Sequence, residues 1–143
     1  MNLPDTATLL YQATSRLNKI SDTPALDAEL LFCSVCGIDR STVTRDQSPV
    51  LTNRQRDFFS TLINRRAAGE PIAYLLQRKE FWSQDLLVSP EVLIPRPESE
   101  LLVEQALEHL PDQPCNVADL GTGCGAIAPV SYTHLTLPTI LRV

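Results

Sequence analysis

The chain is short of several things, and each shortage removes a class of function. Positive charge is one of them: 12 Lys and Arg stand against 17 Asp and Glu, a formal net charge of −5. Binding to nucleic-acid phosphates or anionic lipid relies on clustered cations, so neither direct nucleic-acid contact nor membrane adhesion is expected. No apolar run approaches membrane-spanning length. No basic-then-apolar leader opens the sequence, and a reducing cytoplasm is the expected setting. There are only two histidines, and neither falls in the first seventy residues, which hold a single lysine, Lys19, and no catalytic constellation. Of the four cysteines, Cys33 and Cys36 form a C-x-x-C. Without a second pair at ligand spacing, and in a helical setting, they read as buried structural thiols rather than a zinc or redox site, so no metal is expected.

What is present reads as a globular chain, with 43% hydrophobic and 20% charged residues over 143 positions. That length holds one ordinary domain, or a small domain and part of another, and the content favours the second. From Asp5 to Ile20, Leu9, Leu10, Ala13, Leu17 and Ile20 recur at helical spacing. Thr23 stands as an N-cap before Pro24 at the first helical position of a second helix. Its stripe is Leu26, Leu30, Leu31, Cys33 and Val35, and Gly37 ends it. Ser41 is placed to cap a short third helix. Thr52 and Gln55 form a capping box ahead of a fourth, with Phe58, Phe59, Leu62 and Ile63 as its core face. Arg65 and Arg66 in its last turn read as complements to the helix dipole rather than as a site for an acidic partner.

Residues 1–70 are thus expected to be an all-helical packing or recognition module, and residues 71–90 a β-hairpin linker. In the linker, Ile72, Tyr74, Phe81, Trp82, Leu86, Leu87 and Val88 lie on strands, and Gln77-Arg78-Lys79-Glu80 forms the turn. Trp82 and Tyr74 can stack on a base, but as hairpin aromatics they read as anchors. Two prolines then stiffen the segment around Arg96. Pro97 opens a helix with Glu98 and Glu100 in its first turn and Leu101, Leu102, Gln105, Ala106 and Leu110 following. Arg96, Pro97 and Glu98 are candidates to position a substrate, or simply to turn the corner.

The most informative run is Asn116 to Ala128, read as a short buried strand at Val117, a glycine-rich turn and the start of a helix. Gly121, Gly123 and Gly125 lack Cβ atoms. They can take positive φ and bring main-chain N–H groups to a ligand at the positive end of the helix. Asp119, at the strand's carboxyl end, can accept hydrogen bonds from an amine-bearing ligand, and the pair of features suits a zwitterionic cofactor. Gly121, Gly123 and Ala126 also satisfy the dinucleotide pattern G-x-G-x-x-G/A, which keeps a nicotinamide or flavin enzyme open.

Asp119-Leu-Gly-Thr-Gly-Cys-Gly125 resembles the S-adenosylmethionine loop of class I methyltransferases. Four further runs occur with it in fixed order: Asp27-Ala-Glu-Leu-Leu31, Gly69-Glu-Pro-Ile-Ala-Tyr-Leu75, Glu80-Phe-Trp82 and Leu93-Ile-Pro-Arg-Pro-Glu-Ser-Glu100. Together they resemble the HemK-type release-factor glutamine methyltransferases, with Ser99 where that family commonly has Thr. The resemblance implies a helical N-terminal domain followed by the start of an α/β Rossmann-like, S-adenosylmethionine-dependent methyltransferase domain at residues 91–128. It implies a cofactor held by Asp119, Gly121, Thr122, Gly123, Cys124 and Gly125, and methyl transfer to the glutamine amide nitrogen of a Gly-Gly-Gln loop. The partner is then a peptide chain release factor, docked by the helical module. A ribosomal-protein glutamine, or a non-catalytic helical binding module, is the alternative. The family's Asn-Pro-Pro-Tyr motif has no counterpart, since no Asn follows Asn116. Hence no catalytic residue is assigned and the chain is expected to be inactive. Residues 129–143 break the helix at Pro129, look like translated adapter sequence, and are expected to be a foreign tail in which His134 has no role.

Overall fold

The computed structural model describes residues 5–43, 49–109 and 118–128. It divides the chain into a unit ending at Leu76 and a unit beginning at Gln77. The first is all helical: α1 (Thr6–Leu17), α2 (Pro24–Cys36), α3 (Arg40–Val43), α4 (Asn53–Ala67) and α5 (Ile72–Leu76).

Local chemistry sets the helix ends. The Asp5 carboxylate accepts the Thr8 N–H at 2.8 Å and starts α1. Thr23 occupies the N-cap position of α2 but makes no side-chain capping bond there; its own N–H donates to the Ser21 hydroxyl at 3.1 Å. Gly37 closes α2 at φ 67°, in the left-handed region a side chain disfavours, and its N–H reaches the Cys33 carbonyl. Asp39, rather than Ser41, supplies the acceptor at the start of α3, taking the Ser41 N–H at 2.8 Å. The capping box of α4 is complete: Gln55 N–H donates to Thr52 Oγ1, and Thr52 N–H to Gln55 Oε1.

The apolar faces of these helices meet in one core of Ala13, Leu17, Ala28, Leu31, Phe32, Leu51, Phe59, Leu62, Ile63 and Leu75. Phe32 and Phe59 meet edge to face with ring centres 6.0 Å apart, a geometry that adds about 0.5–1.5 kcal/mol to their burial. Three sequence expectations give way here. Ile20 lies beyond the end of α1 and is half exposed, and Phe58 is 54% exposed. Phe32, outside the stripe expected for α2, is fully buried. Adjacent aromatics on a helix point about 100° apart, so only one of Phe58 and Phe59 can face the core.

A buried acid meets a partly buried base beside this core. Asp27 is 4% exposed, and its Oδ2 accepts from Arg66 Nε at 2.7 Å. Each charge lies on the helix end that favours it, Asp27 in the first turn of α2 and Arg66 in the last turn of α4. Gly69, at φ 97°, then reverses the chain. The Glu70 carbonyl accepts from Arg66 Nη1 at 3.2 Å, while the Glu70 carboxylate takes both Nε and Nη2 of Arg65, at 2.7 and 2.5 Å. The two arginines therefore bind within the chain, and the Gly69-Glu70-Pro71 turn is clamped from two sides.

The helical unit extends past the turn. Ile72 and Tyr74, expected on a strand, lie in α5, where the Pro71 carbonyl accepts the N–H groups of Tyr74 and Leu75. The spacing of Ile72, Leu75 and Leu76 suits a helix, and all three pack on the first core. The hairpin is correspondingly narrower than residues 71–90, with β1 (Arg78–Phe81) antiparallel to β2 (Gln84–Leu87) and Arg78 opposite Leu87. The polar run expected as its turn is strand β1. The turn itself is Trp82-Ser83, both residues at positive φ (51° and 59°), as the two-residue hairpin connections that match strand twist require.

In this second unit α6 (Glu98–His109) follows the proline segment. Phe81, Val103 and Ala126 form its small core, with Trp82, Leu86, Leu107, Cys124 and Ile127 packed against them. The face expected for α6 is rotated. Leu101 and Leu102 are 57% and 59% exposed, and Val103 and Leu107 point inward instead. The expected Val117 strand and the 129–143 tail lie outside the described residues.

Two predictions follow from the clamp. Arg66→Ala strands a buried carboxylate and lowers the unfolding free energy of the helical unit by about 3 kcal/mol. Urea titration followed by circular dichroism reads this, and Arg66→Lys recovers only part of the loss, because one ammonium does not reproduce the guanidinium fork. The second concerns acid. Bonding to Arg65 holds the Glu70 carboxyl below its ordinary value of 4.5, and hydrogen bonds from Thr8 and Ser41 likewise lower Asp5 and Asp39 from 3.8. Lowered folded values mean these groups stabilise fully above their ordinary range and lose that contribution as pH falls through the folded values. Denaturation midpoints measured down a pH series should therefore drop in that window, and Glu70→Gln should make the drop shallower.

Candidate functional site

The glycine loop takes the backbone expected of it. Gly121, Gly123 and Gly125 have φ of 79°, 57° and 74°, a region costing a residue with a Cβ about 1–2 kcal/mol. Crowding is not the reason for glycine here. A Cβ on Gly121 would meet nothing within 4 Å, and on Gly123 or Gly125 only ordinary contacts at 3.8 and 3.9 Å. The Gly125 N–H closes the turn on the Thr122 carbonyl at 2.8 Å, and Ile127 and Ala128 take helical conformation. Alternating left-handed glycines turn main-chain N–H groups toward one concave side, an arrangement suited to anionic ligand atoms.

Asp119 lies ahead of the loop with its Oδ2 buried and without a hydrogen-bond partner among the described residues. A carboxylate oxygen shut away from water needs a hydrogen-bond donor. Cys124 and Ala126, in the loop's second half, pack on the core that contains Val103 of α6. The loop is thus anchored at one end on the second unit's own core, while Leu120 to Gly123 are exposed.

Arg96, Pro97 and Glu98 sit at the entrance to α6, where the Ser99 N–H donates to the Arg96 carbonyl at 2.9 Å. All three side chains are exposed, whereas Pro95 just before them is buried. No hydrogen bond or ion pair joins them to the glycine loop among the described residues. The residue of this segment that makes a specific long-range bond is Glu100, read from the sequence only as a first-turn acid. Its Oε1 accepts the Trp82 N–H at 3.1 Å across 18 positions, and no local pattern announces such a bond.

The C-x-x-C lies on α2 with Cys33 buried and Cys36 half-buried, both as free thiols. Burial pushes both thiols above their ordinary value, with Glu29 adding to the rise at Cys33. No group of three or more His, Cys, Asp or Glu is arranged to hold a metal ion among the described residues. No helix among them is long and apolar enough to cross a membrane.

Comparison with known proteins bears on both units. Residues 8–76 match the family model described as the PrmC N-terminal domain. Over 119 residues, 83% of this chain, the sequence is 50% identical to the release factor glutamine methyltransferase of Escherichia coli (strain K12), of which that stretch is 43%. It is 48% identical over 128 residues to the release factor glutamine methyltransferase of Coxiella burnetii, covering 87% of this chain and 46% of the relative. The corresponding Yersinia pestis protein is 52% identical over 103 residues, 72% of this chain and 37% of the relative. The chain spans less than half the length of the curated relatives it matches.

Raised thiol values make Cys33 and Cys36 poor nucleophiles. In the folded chain, iodoacetamide should alkylate them slowly at neutral pH, and more slowly than after urea unfolding. Peptide mapping of the labelled positions reads the difference.

Proposed function

We propose, for a chain whose residues 8–76 match the PrmC N-terminal domain model, that it is the N-terminal portion of an S-adenosylmethionine-dependent protein methyltransferase. Its substrate is the side-chain amide nitrogen of the glutamine in the Gly-Gly-Gln loop of a peptide chain release factor. The observation that carries the reading is the conjunction in one unit of a left-handed glycine loop and a buried Asp119 oxygen with no partner among the described residues. It occurs in a chain about half identical, over most of its length, to release factor glutamine methyltransferases.

The residues present suit that cofactor. The carboxylate of its amino-acid portion fits the N–H groups of the exposed stretch Gly121 to Gly123, and its ammonium fits Asp119 Oδ2 as donor to acceptor. When bound, S-adenosylmethionine supplies an electrophilic methyl on a sulfonium. The N–H groups and Asp119 fix its orientation, and Arg96, Pro97 and Glu98 are placed to meet the protein substrate. An amide nitrogen is a poor nucleophile because its lone pair is delocalised. Holding it in line and accepting hydrogen bonds from its N–H groups is the work of further residues, which in this family an Asn-Pro-Pro-Tyr motif supplies. That motif does not occur in these 143 residues. The glycine loop is in this reading the first crossover of a Rossmann-like sheet, and the helical unit is the part that recognises the release factor.

A second reading, a helical binding module without cofactor, is favoured by the continuous core that joins the helices of the first unit. Calorimetric titration separates the two. We expect the chain to bind S-adenosylmethionine, Gly123→Val to abolish that binding, and neither to methylate a release factor. Release-factor binding with no cofactor binding would leave the module reading; turnover would show the missing motif to be dispensable.

A further inference from the structure

We infer that Glu100 is a positioning residue for the glycine loop, acting through the strained turn of the hairpin; its relevance to cofactor rests on the reading above. Trp82 and Ser83 hold positive φ without being Gly, Asn or Asp, the residues that usually occupy such turns. A bulky aromatic in this region persists only where its surroundings fix it. The contacts that fix this one include a packing contact and a hydrogen bond. The Trp82 side chain packs on the core of Phe81, Val103 and Ala126, and its N–H donates to Glu100 Oε1 at 3.1 Å.

Glu100 lies three residues before Val103 on α6, so carboxylate and valine are neighbours on the helix surface. Val103 is fully buried, and the loop residues Cys124 and Ala126 belong to the same core. The bond from Glu100 thus closes a ring of contacts running from hairpin turn to α6, from α6 to the glycine loop, and back through Phe81. Among the described residues, Phe81 and Val103 are the buried side chains that cluster with Ala126 beneath the loop's second half. Releasing the Trp82 N–H lets the turn relax, withdraws the indole, and loosens the packing beneath Ala126.

The test is hydrogen–deuterium exchange of the full chain, read by mass spectrometry over peptides covering 78–87 and 118–128. In Glu100→Ala both segments should exchange about five- to tenfold faster, the scale of one lost hydrogen bond. Emission from Trp82, the single tryptophan, should move to the red. Glu100→Gln keeps an acceptor oxygen and should restore both readouts, and Glu104→Ala, an exposed change on the same helix, should alter neither. If Glu100→Ala strips protection from all of α6, Glu100→Asp, which shortens the reach to Trp82, takes its place in the same comparison. Faster exchange in the hairpin with an unchanged glycine loop would overturn the inference, as would failure of Glu100→Gln to restore the loop. Titration with S-adenosylmethionine, followed on Trp82, adds a separate arm. Binding by the parent chain that weakens in Glu100→Ala and recovers in Glu100→Gln supports the coupling. A parent chain that does not bind overturns the cofactor reading, and the exchange result still decides the role of Glu100.

Discussion

A carboxylate taken out of water has to be answered by a cation within hydrogen-bond reach, and in this chain Asp27 and Arg66 meet that requirement at 2.7 Å. The pair joins the start of α2 to the end of α4, two helices that otherwise meet through apolar side chains and a longer hydrogen bond from Gln55 Nε2 to the Val35 carbonyl at 3.4 Å. Replaced together by apolar residues of like shape, the two charges would not obviously weaken the core. Their value lies in register. Arg66 also reaches the Glu70 carbonyl, and Arg65 takes the Glu70 carboxylate, so the same contact that orients α2 against α4 directs the chain leaving α4. The turn at Gly69-Glu70-Pro71 is consequently held closed, and α5 returns Leu75 to the core. Two of the runs that carried the family resemblance, Asp27 to Leu31 and Gly69 to Leu75, thus owe part of their character to a structural task.

The second unit repeats the device with a neutral donor. Glu100, from the run Leu93 to Glu100, accepts the N–H of Trp82, from the run Glu80 to Trp82. In each unit a carboxylate ties together segments distant in the chain at a point where the backbone turns sharply. Among the described residues, Phe81, Val103 and Ala126 are the second unit's clustered buried side chains, and the bond from Glu100 adds a directional tie between hairpin and α6 beside them.

Much of this was legible in the sequence where the determining interactions are local. The capping box at Thr52 and Gln55, the left-handed Gly37 and the periodic faces of α1, α2 and α4 depend on residues three or four positions apart, and periodicity reports them directly. The glycine loop was legible for a related reason, since glycines at alternate positions have little use in a helix or strand interior. Reading failed where tertiary packing decided. Ile72 and Tyr74 carry strand propensity, yet their segment packs as a helix on the first core. Arg78 to Glu80 look like turn residues, yet the strand is theirs, and Phe81 at its end is the side chain buried in the second core. Asp27 with Arg66, and Trp82 with Glu100, lie 39 and 18 positions apart, beyond any local pattern.

The rotated face of α6 follows from the same physics. Periodicity alone gave Leu101, Leu102 and Ala106 as its buried side, yet Val103 and Leu107 occupy that place. The helix therefore has apolar residues on more than one side, one on the small core and one in water. Leu87, Leu93 and Leu120 are likewise 87%, 71% and 92% exposed. A helix apolar on more than one side has a second face for a neighbouring layer to cover, and in an α/β fold that layer is the sheet. On the reading proposed above, the Val103 side steadies the glycine loop while the Leu101 and Leu102 side belongs to the sheet. One helix then serves both to carry the proline-stiffened Arg96 segment at its start and to support, from its middle, the loop that would hold the cofactor.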